Sequence, residues 1–291
     1  MRKHPVIAGI LLLFLVGTLT FVLIYRIAGK RLDFSMGDRV GVILVQGVLA
    51  DARGIIEQID EFDGNDSVKA VVLRVESPGG GVVPSQEIYD RLKKVKENKI
   101  VVASLGAVAA SGGYYIACAA DKIVANPGTV TGSIGVILQF PLFEELFRKI
   151  GIGSTTIKSG KYKDMGSPFR ELTPGERAFL QGVTNDIYDQ FVDTVLASRN
   201  IPPSRSAEIA EGKIFTGRQA LELGLVDALG SEQDAVDLAA KLSGLEGRPA
   251  VVYGKEKKGG LLRYLLEESA LFMAREIRES FPGVEYRMPS P

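Results

Sequence analysis

The run Val68-Lys-Ala-Val-Val-Leu-Arg-Val75 limits the fold more than any other stretch of the chain. It is β-branched and aliphatic almost throughout, with no alternation of polar and apolar positions. A strand of this kind has no face to offer to water. It needs cover on both sides, as a central strand of a parallel sheet has. It ends in Glu76-Ser-Pro-Gly-Gly-Gly-Val82, and residues 84–97 then read as an amphipathic helix with Ile88, Leu92 and Val95 on one side. A second short β-branched strand, residues 100–104, follows. Small residues crowd after it, and residues 114–120 read as an apolar helix. This alternation of strand and helix predicts an α/β fold.

The rest of the chain continues the pattern. Arg39–Leu49 reads as a strand bent at Gly47, and residues 54–62 as a helix through Ile55, Ile56 and Ile59. Residues 122–125 are expected to be a strand, 129–137 a glycine-punctuated extended stretch, 141–150 a helix and 154–158 a strand. Thr173-Pro-Gly-Glu176 has the capping-box pattern, with proline at the first helical position. In the long helix after it Phe179, Val183, Ile187, Phe191 and Val195 recur every four residues, which predicts a buried stripe. Residues 215–227 predict a helix closed by Gly224, and residues 232–242 the last helix of the domain. One α/β domain is therefore expected over residues 38–245. Residues 246–291 read as a polar linker and an amphipathic segment, 261–281, able to lie on a membrane, dock on a neighbour or cover the domain.

Ahead of the domain, the basic Met1-Arg-Lys-His4 is followed by a run without charge over residues 5–25. As a helix this run spans about 32 Å at ~1.5 Å per residue, which matches a bilayer core. No Ala-x-Ala site precedes Arg26, so an uncleaved transmembrane anchor over residues 5–27 is expected, with a linker over 28–37. Basic residues flank both ends, so the positive-inside rule does not orient it.

Composition narrows the chemistry. The 35 Lys and Arg balance 35 Asp and Glu, so nothing electrostatic favours a nucleic-acid partner. A single cysteine, Cys118, excludes an intrachain disulfide and reads as a small core residue. The single histidine is His4, ahead of the apolar run. The domain therefore holds no histidine for a Ser-His-Asp triad, a Cys-His pair or a histidine metal site. No metal or cofactor is expected, and a nucleophile in this domain needs lysine or a carboxylate as its base.

Three segments place glycine at or near the end of a predicted strand: residues 77–81, 110–113 and 131–135. In open α/β sheets such ends converge on one crevice, and glycine lets backbone N–H groups approach a ligand there. Ser111 sits on the second segment, where a strand-to-helix turn delivers a side chain to the positive end of a helix. On its own it reads as a helix cap or as a nucleophile beside an oxyanion site. A lysine base needs its pKa lowered from ~10.4 to ~7–8, about 4 kcal/mol of desolvation. Lys158, Lys161 and Lys163, in Lys158-Ser-Gly-Lys-Tyr-Lys163, are the candidates, and the local sequence does not choose among them.

Ser77-Pro-Gly-Gly-Gly-Val82, Ala109-Ala-Ser-Gly-Gly-Tyr-Tyr115, Thr131-Gly-Ser-Ile-Gly-Val136 and Lys158-Ser-Gly-Lys-Tyr-Lys-Asp164 together resemble the signal peptide peptidase A (protease IV) family in its short, single-repeat bacterial form. The resemblance covers about residues 38–245. It implies a ClpP/crotonase-like fold and a serine peptidase with a Ser-Lys dyad. By the same resemblance Ser111 is the nucleophile, Lys163 the general base and Ser133 the hydroxyl that orients it. The N–H groups of Gly80 and Gly112 form the oxyanion hole. Glu76 departs from the Asn found in many relatives, and puts an extra carboxylate beside that hole. The resemblance further implies a single-pass inner-membrane protein, N-terminus (residues 1–4) cytoplasmic and catalytic domain extracytoplasmic. It implies a homo-oligomer, octameric in short forms, and signal-peptide remnants and other short apolar peptides as substrates. A site shared between subunits would make assembly essential.

Three rivals stand beside this reading. A related ClpP-class membrane protease acting with stomatin-like partners usually carries further spans, and no second long apolar run is present. A crotonase-like acyl-CoA enzyme shares the fold, but an anchor and a Ser/Lys pair suit peptide chemistry better. A silent membrane scaffold would lack a reactive serine.

Overall fold

The structure, a computed structural model, describes residues 13–20, 37–247 and 249–254. The chain divides into two units, Met1–Gly37 and Asp38–Pro291. In the first, residues 13–20 are helical and exposed. The remainder of the expected anchor, and the amphipathic segment 261–281, lie outside the described residues. No helix among the described residues is long and apolar enough to cross a membrane.

In the second unit β1 (Arg39–Leu49), β2 (Val68–Gly80) and β3 (Ile100–Ala110) form the centre of an eight-stranded sheet. Its path runs β6-β5-β3-β2-β1-β8, with β5 Val130–Gly132, β6 Ile214–Thr216 and β8 Ala250–Tyr253. Strand β4 (Lys122–Ala125) lies beside β3, and β7 (Ala228–Leu229) beside β4. Every pairing is parallel except β5 with β6.

The β2 run is covered on both faces, as its composition requires. Val71, Leu73 and Val75 face one core cluster with Ile59, Ile88, Leu92 and Tyr114. Ala70 and Val72 face a second with Ala235, Val236 and Ala239. The first cluster rests on helices α1 (Arg53–Asp63), α2 (Val82–Val95) and α3 (Gly112–Ala117). The second rests on α8 (Glu232–Leu242). Between them in sequence come α4 (Glu144–Lys149), α5 (Pro174–Arg199), α6 (Ser206–Ile209) and α7 (Gly217–Glu222). Among the described residues, all of the largest fully buried side chains lie in this second unit.

Several boundaries differ from expectation, each for a physical reason. Strands β2 and β3 run on to Gly80 and Ala110, because their glycine- and alanine-rich ends still pair: Ser77 faces Ala109, and Ala109 faces Thr131. Gly47, at φ +70°, bends β1 as expected, with a register shift between Gln46 and Val48. Residues 154–158, expected as a strand, have no regular structure, and Ile157 is 97% exposed. A short β-branched run makes a strand only where an edge is free to pair with it. The helix expected over 215–227 is the shorter α7, with Gly224 at φ +79° just beyond it. Strand β8 pairs with β1 beyond residue 245, so the sheet outruns the expected domain boundary. The α5 stripe is buried only at Phe191 and Val195; Phe179 and Val183 are exposed.

Candidate active site

The three glycine-bearing ends meet where β3 changes partner. Its first half pairs with β4 through Val102–Leu105, its second with β5 through Val108–Ala110. Parting of neighbours at the carboxyl end of a parallel strand opens a crevice. Ser111 is the first residue past that end and the N-cap of α3. Its backbone stands at φ 51°, ψ −123°, with N–H donating to Gly132 O at 2.8 Å and carbonyl accepting from Tyr115 N at 2.9 Å. Its side chain makes no capping hydrogen bond to the helix. The capping alternative for Ser111 therefore has no bond behind it. Ser133, at φ 52°, lies just past the end of β5 and donates its N–H to Lys213 O at 2.7 Å.

Close approach of the β2 end to the α3 start depends on glycine. Gly79 stands at φ +102°, and a Cβ on it would meet Gly112 N at 2.7 Å and Ser111 Cβ at 2.9 Å. A Cβ on Gly113 would meet Ser77 O at 2.8 Å. The buried Ser77 hydroxyl ties the turn down, donating to Gly47 O at 2.6 Å and accepting from Gly79 N at 3.1 Å. A Cβ on Gly112 would meet Gly80 N at 3.3 Å, so the two glycines lie close together at the Ser111 turn.

Ser111, Gly80, Gly112 and Ser133 line one cavity of about 860 Å³. Val82, Tyr115, Val136, Ile187, Tyr188 and Phe191 give it an apolar wall. Tyr115 packs against Tyr89 and Phe191, ring centroids 5.2 and 5.1 Å apart. The residues of α5 are the part of this wall that sequence reasoning placed in the core. The available signal was Ile187 and Phe191 at helical spacing, which cannot separate a core stripe from a cavity wall. Glu211, at φ 64°, is the one charged residue of the lining and pairs with Lys213 at 3.3 Å.

Lys163 is exposed and is not among the lining residues. It sits in a turn, its N–H donating to Gly160 O at 3.1 Å. The other two lysines of the segment are engaged: Lys158 Nζ pairs with Asp164 Oδ1 at 2.5 Å, and Lys161 Nζ lies 5.3 Å over the Tyr162 ring. Glu76 is paired on the sheet with Arg74, which also reaches Glu232 at 3.4 Å. It accepts from Arg74 Nη2 at 2.7 Å and from Ala107 N at 2.9 Å, which ties its carboxylate to β2 and β3. Cys118 is buried, and desolvation pushes its thiol up to about 12, which keeps it an unreactive core residue.

The largely parallel sheet, with Ser111 on a strained strand-to-helix turn at its crevice, is an α/β fold of ClpP-like type. The Clp protease pattern matches residues 37–129, and that of peptidase family S49 matches residues 93–246. The chain belongs to peptidase family S49 and is a serine peptidase of the signal peptide peptidase A type. It is 54% identical to a provisionally named protease of Synechocystis over 73% of this chain and 77% of that one. It is 36% identical to a provisionally named signal peptide peptidase of Enterococcus faecium over 74% and 67%. Protease 4 of Haemophilus influenzae is 32% identical over 72% of this chain, which spans 35% of that longer protein. Among solved structures, a mutant of a membrane-bound stomatin-specific protease shares the fold, with a TM-score of 0.50 at 16% identity over 75% of this chain and 98% of that one.

Proposed function

We propose that this chain is a membrane-anchored endopeptidase that degrades signal peptides left in the membrane after secretory processing, with Ser111 as nucleophile and Lys163 as base. The observation that carries the reading is Ser111, held on its strained turn, sharing an apolar-walled cavity with Gly80 and Gly112. Neutral Lys163 takes the Ser111 hydroxyl proton as Oγ attacks the scissile carbonyl. The oxyanion accepts hydrogen bonds from Gly80 and Gly112 N–H. The protonated lysine then gives its proton to the leaving amine, and water, deprotonated by the same lysine, hydrolyses the acyl-enzyme. Ser133 orients the lysine.

Lys163 stands off the cavity of its own chain, and its neighbourhood, residues 137–157, exposes Ile137, Leu146, Ile150 and Ile157 to solvent. A homo-oligomer, octameric as the short family form implies, covers these side chains and brings Lys163 to the Ser111 of a neighbouring copy. The apolar cavity wall suits short apolar peptides. An anchor over residues 5–27, with the catalytic domain extracytoplasmic, holds the site near a bilayer from which such peptides leave only briefly.

The test is labelling of the purified full chain with a fluorophosphonate, beside cleavage of a synthetic signal peptide in vesicles. Labelling of the wild type at Ser111, with loss of both label and cleavage in Ser111→Ala, supports the reading. Full cleavage by Ser111→Ala overturns it, and labelling without peptide cleavage overturns the substrate.

A further inference from the structure

A chain of charges centred on Arg170 links the turn that carries Lys163 to helix α5. The Arg170 guanidinium grips two carboxylates at once. Its Nε and Nη2 donate to Asp164 Oδ2 and Oδ1 at 3.0 and 2.8 Å. Its Nη1 and Nη2 donate to Glu176 Oε2 and Oε1 at 2.8 and 2.6 Å. Glu176 is the N3 residue of α5, is 2% exposed, and also accepts from Thr173 N at 2.9 Å in the capping box. At the other end Asp164 takes the Lys158 ammonium, which reaches on to Lys161 O at 3.2 Å. Lys158, Asp164, Arg170 and Glu176 thus form one chain of charges that closes the loop 158–164 and bolts it to a long helix.

The loop has other fastenings besides: Tyr162 stacks on Phe179 of α5 with ring centroids 5.4 Å apart, Phe169 lies 4.9 Å from Phe147, and Pro168 O accepts from Phe143 N at 2.8 Å. None of residues 158–170 is buried, so no core side chain holds it. Exposed ion pairs contribute little to global stability, but bidentate arginine–carboxylate contacts fix geometry well. Only one lysine of the segment, Lys163, stands outside the chain of charges and off the Tyr162 ring, and it is the residue next to Asp164.

We propose that Arg170 is a positioning residue for peptide hydrolysis: its fork between Asp164 and Glu176 fixes the backbone at Lys163, so that the lysine is delivered to Ser111 in one geometry. The proposal rests on Lys163 being the base. A reacting group displaced by about 1 Å costs on the order of a hundredfold in rate, so slack in this turn reads out in turnover while the fold is kept.

The experiment measures kcat and KM on an unfolded protein substrate, and the rate of fluorophosphonate labelling of Ser111, in the full chain. The variants are Arg170→Met, Arg170→Lys, Asp164→Asn, Lys163→Ala and the double variant Arg170→Met with Lys163→Ala. Arg170→Met is expected to lower kcat and labelling by about 10- to 100-fold with KM changed less than about twofold, and Arg170→Lys, which keeps charge without the fork, to fall between. Asp164→Asn leaves the Arg170–Glu176 contact in place and is expected to show a loss in kcat of the same kind, which keeps the test sound if Arg170→Met folds poorly. On the Lys163→Ala background, Arg170→Met is expected to cost nothing more in slow labelling. An equal factor in both backgrounds overturns the proposal and leaves the lysine assignment standing. Labelling of Lys163→Ala at the wild-type rate overturns the lysine assignment and this proposal with it.

Discussion

Ser111 pays for its position in backbone strain. A non-glycine residue at φ 51°, ψ −123° costs on the order of 1–3 kcal/mol, and such strain persists only where the surroundings over-determine it. Here the surroundings are the hydrogen bonds to Gly132 and Tyr115 and the glycine-tight contact with Gly79. Gly79→Ala sets a Cβ against Gly112 N and Ser111 at a φ that side chains rarely adopt, so Ser111 and the Gly112 N–H must move together. Loss of one oxyanion donor costs roughly 10²–10³ in kcat, and a fall of that size is expected in Gly79→Ala. Cleavage assays beside a thermal melt check it; wild-type kcat would show that the contact does not set the site. In the sequence, glycine content marked this turn, but its φ values did not, because glycine permits many conformations and names none. The choice among three lysines was closed to local sequence for a related reason. Lys158 is engaged through Asp164, six residues on, and Lys161 through the Tyr162 ring, and pairings of that kind are made by the folded turn.

At the scale of elements, strands read well where burial on two faces dictated composition and poorly where pairing alone decided. Strand β2 was legible from Val68 to Val75, but its extension to Gly80 rests on partners in β1 and β3. Residues 154–158 had the composition but pair with no strand among the described residues, and β8 found an edge in a stretch read as linker. Leu73, wholly buried in the centre of β2, is expected to cost about 2–5 kcal/mol when cut to alanine, read as a lower urea midpoint. A loss below about 1 kcal/mol would mean that the core closes round the gap. Helix α5 begins as its capping box predicts, and that start is tuned by pH. The Arg170 guanidinium, and then Thr173 N–H, hold the Glu176 carboxyl down at about 2 against an ordinary 4.5. Arg170 and Lys158 likewise hold Asp164 below the usual carboxylate range. Both values are lower in the folded state, so the stabilisation is fully present above 4.5 and is lost as pH falls from 4.5 towards 2. Glu176→Gln is therefore expected to melt below the wild type at neutral pH, with the gap closing through that acid window. A gap that stays constant with pH would assign it to packing instead.

At the scale of the whole molecule, the described domain places the proposed nucleophile in a cavity and the proposed base on its outside. Ser111, Gly80 and Gly112 line a cavity, while Lys163 stands on an exposed turn near exposed apolar side chains. If the pair is completed between copies, its two members need not lie on the same chain. Lys163→Ala keeps its serine and donates no base; Ser111→Ala keeps its lysine and has no nucleophile. Each variant alone is expected to be inactive. In a ring of heterologous contacts assembled from an equal mixture, a site works when its serine comes from the first and its lysine from the second, which random mixing gives for about a quarter of the sites. Unfolding and reassembling the two together should therefore restore about a quarter of wild-type activity. Mixing without subunit exchange should restore none, and a mass measurement at each step ties the recovered rate to the assembly. No recovery after full exchange would place Ser111 and Lys163 in one chain. The turn over residues 158–170 would then have to swing to its own cavity, and a disulfide introduced between that turn and α5 would abolish activity until reduced.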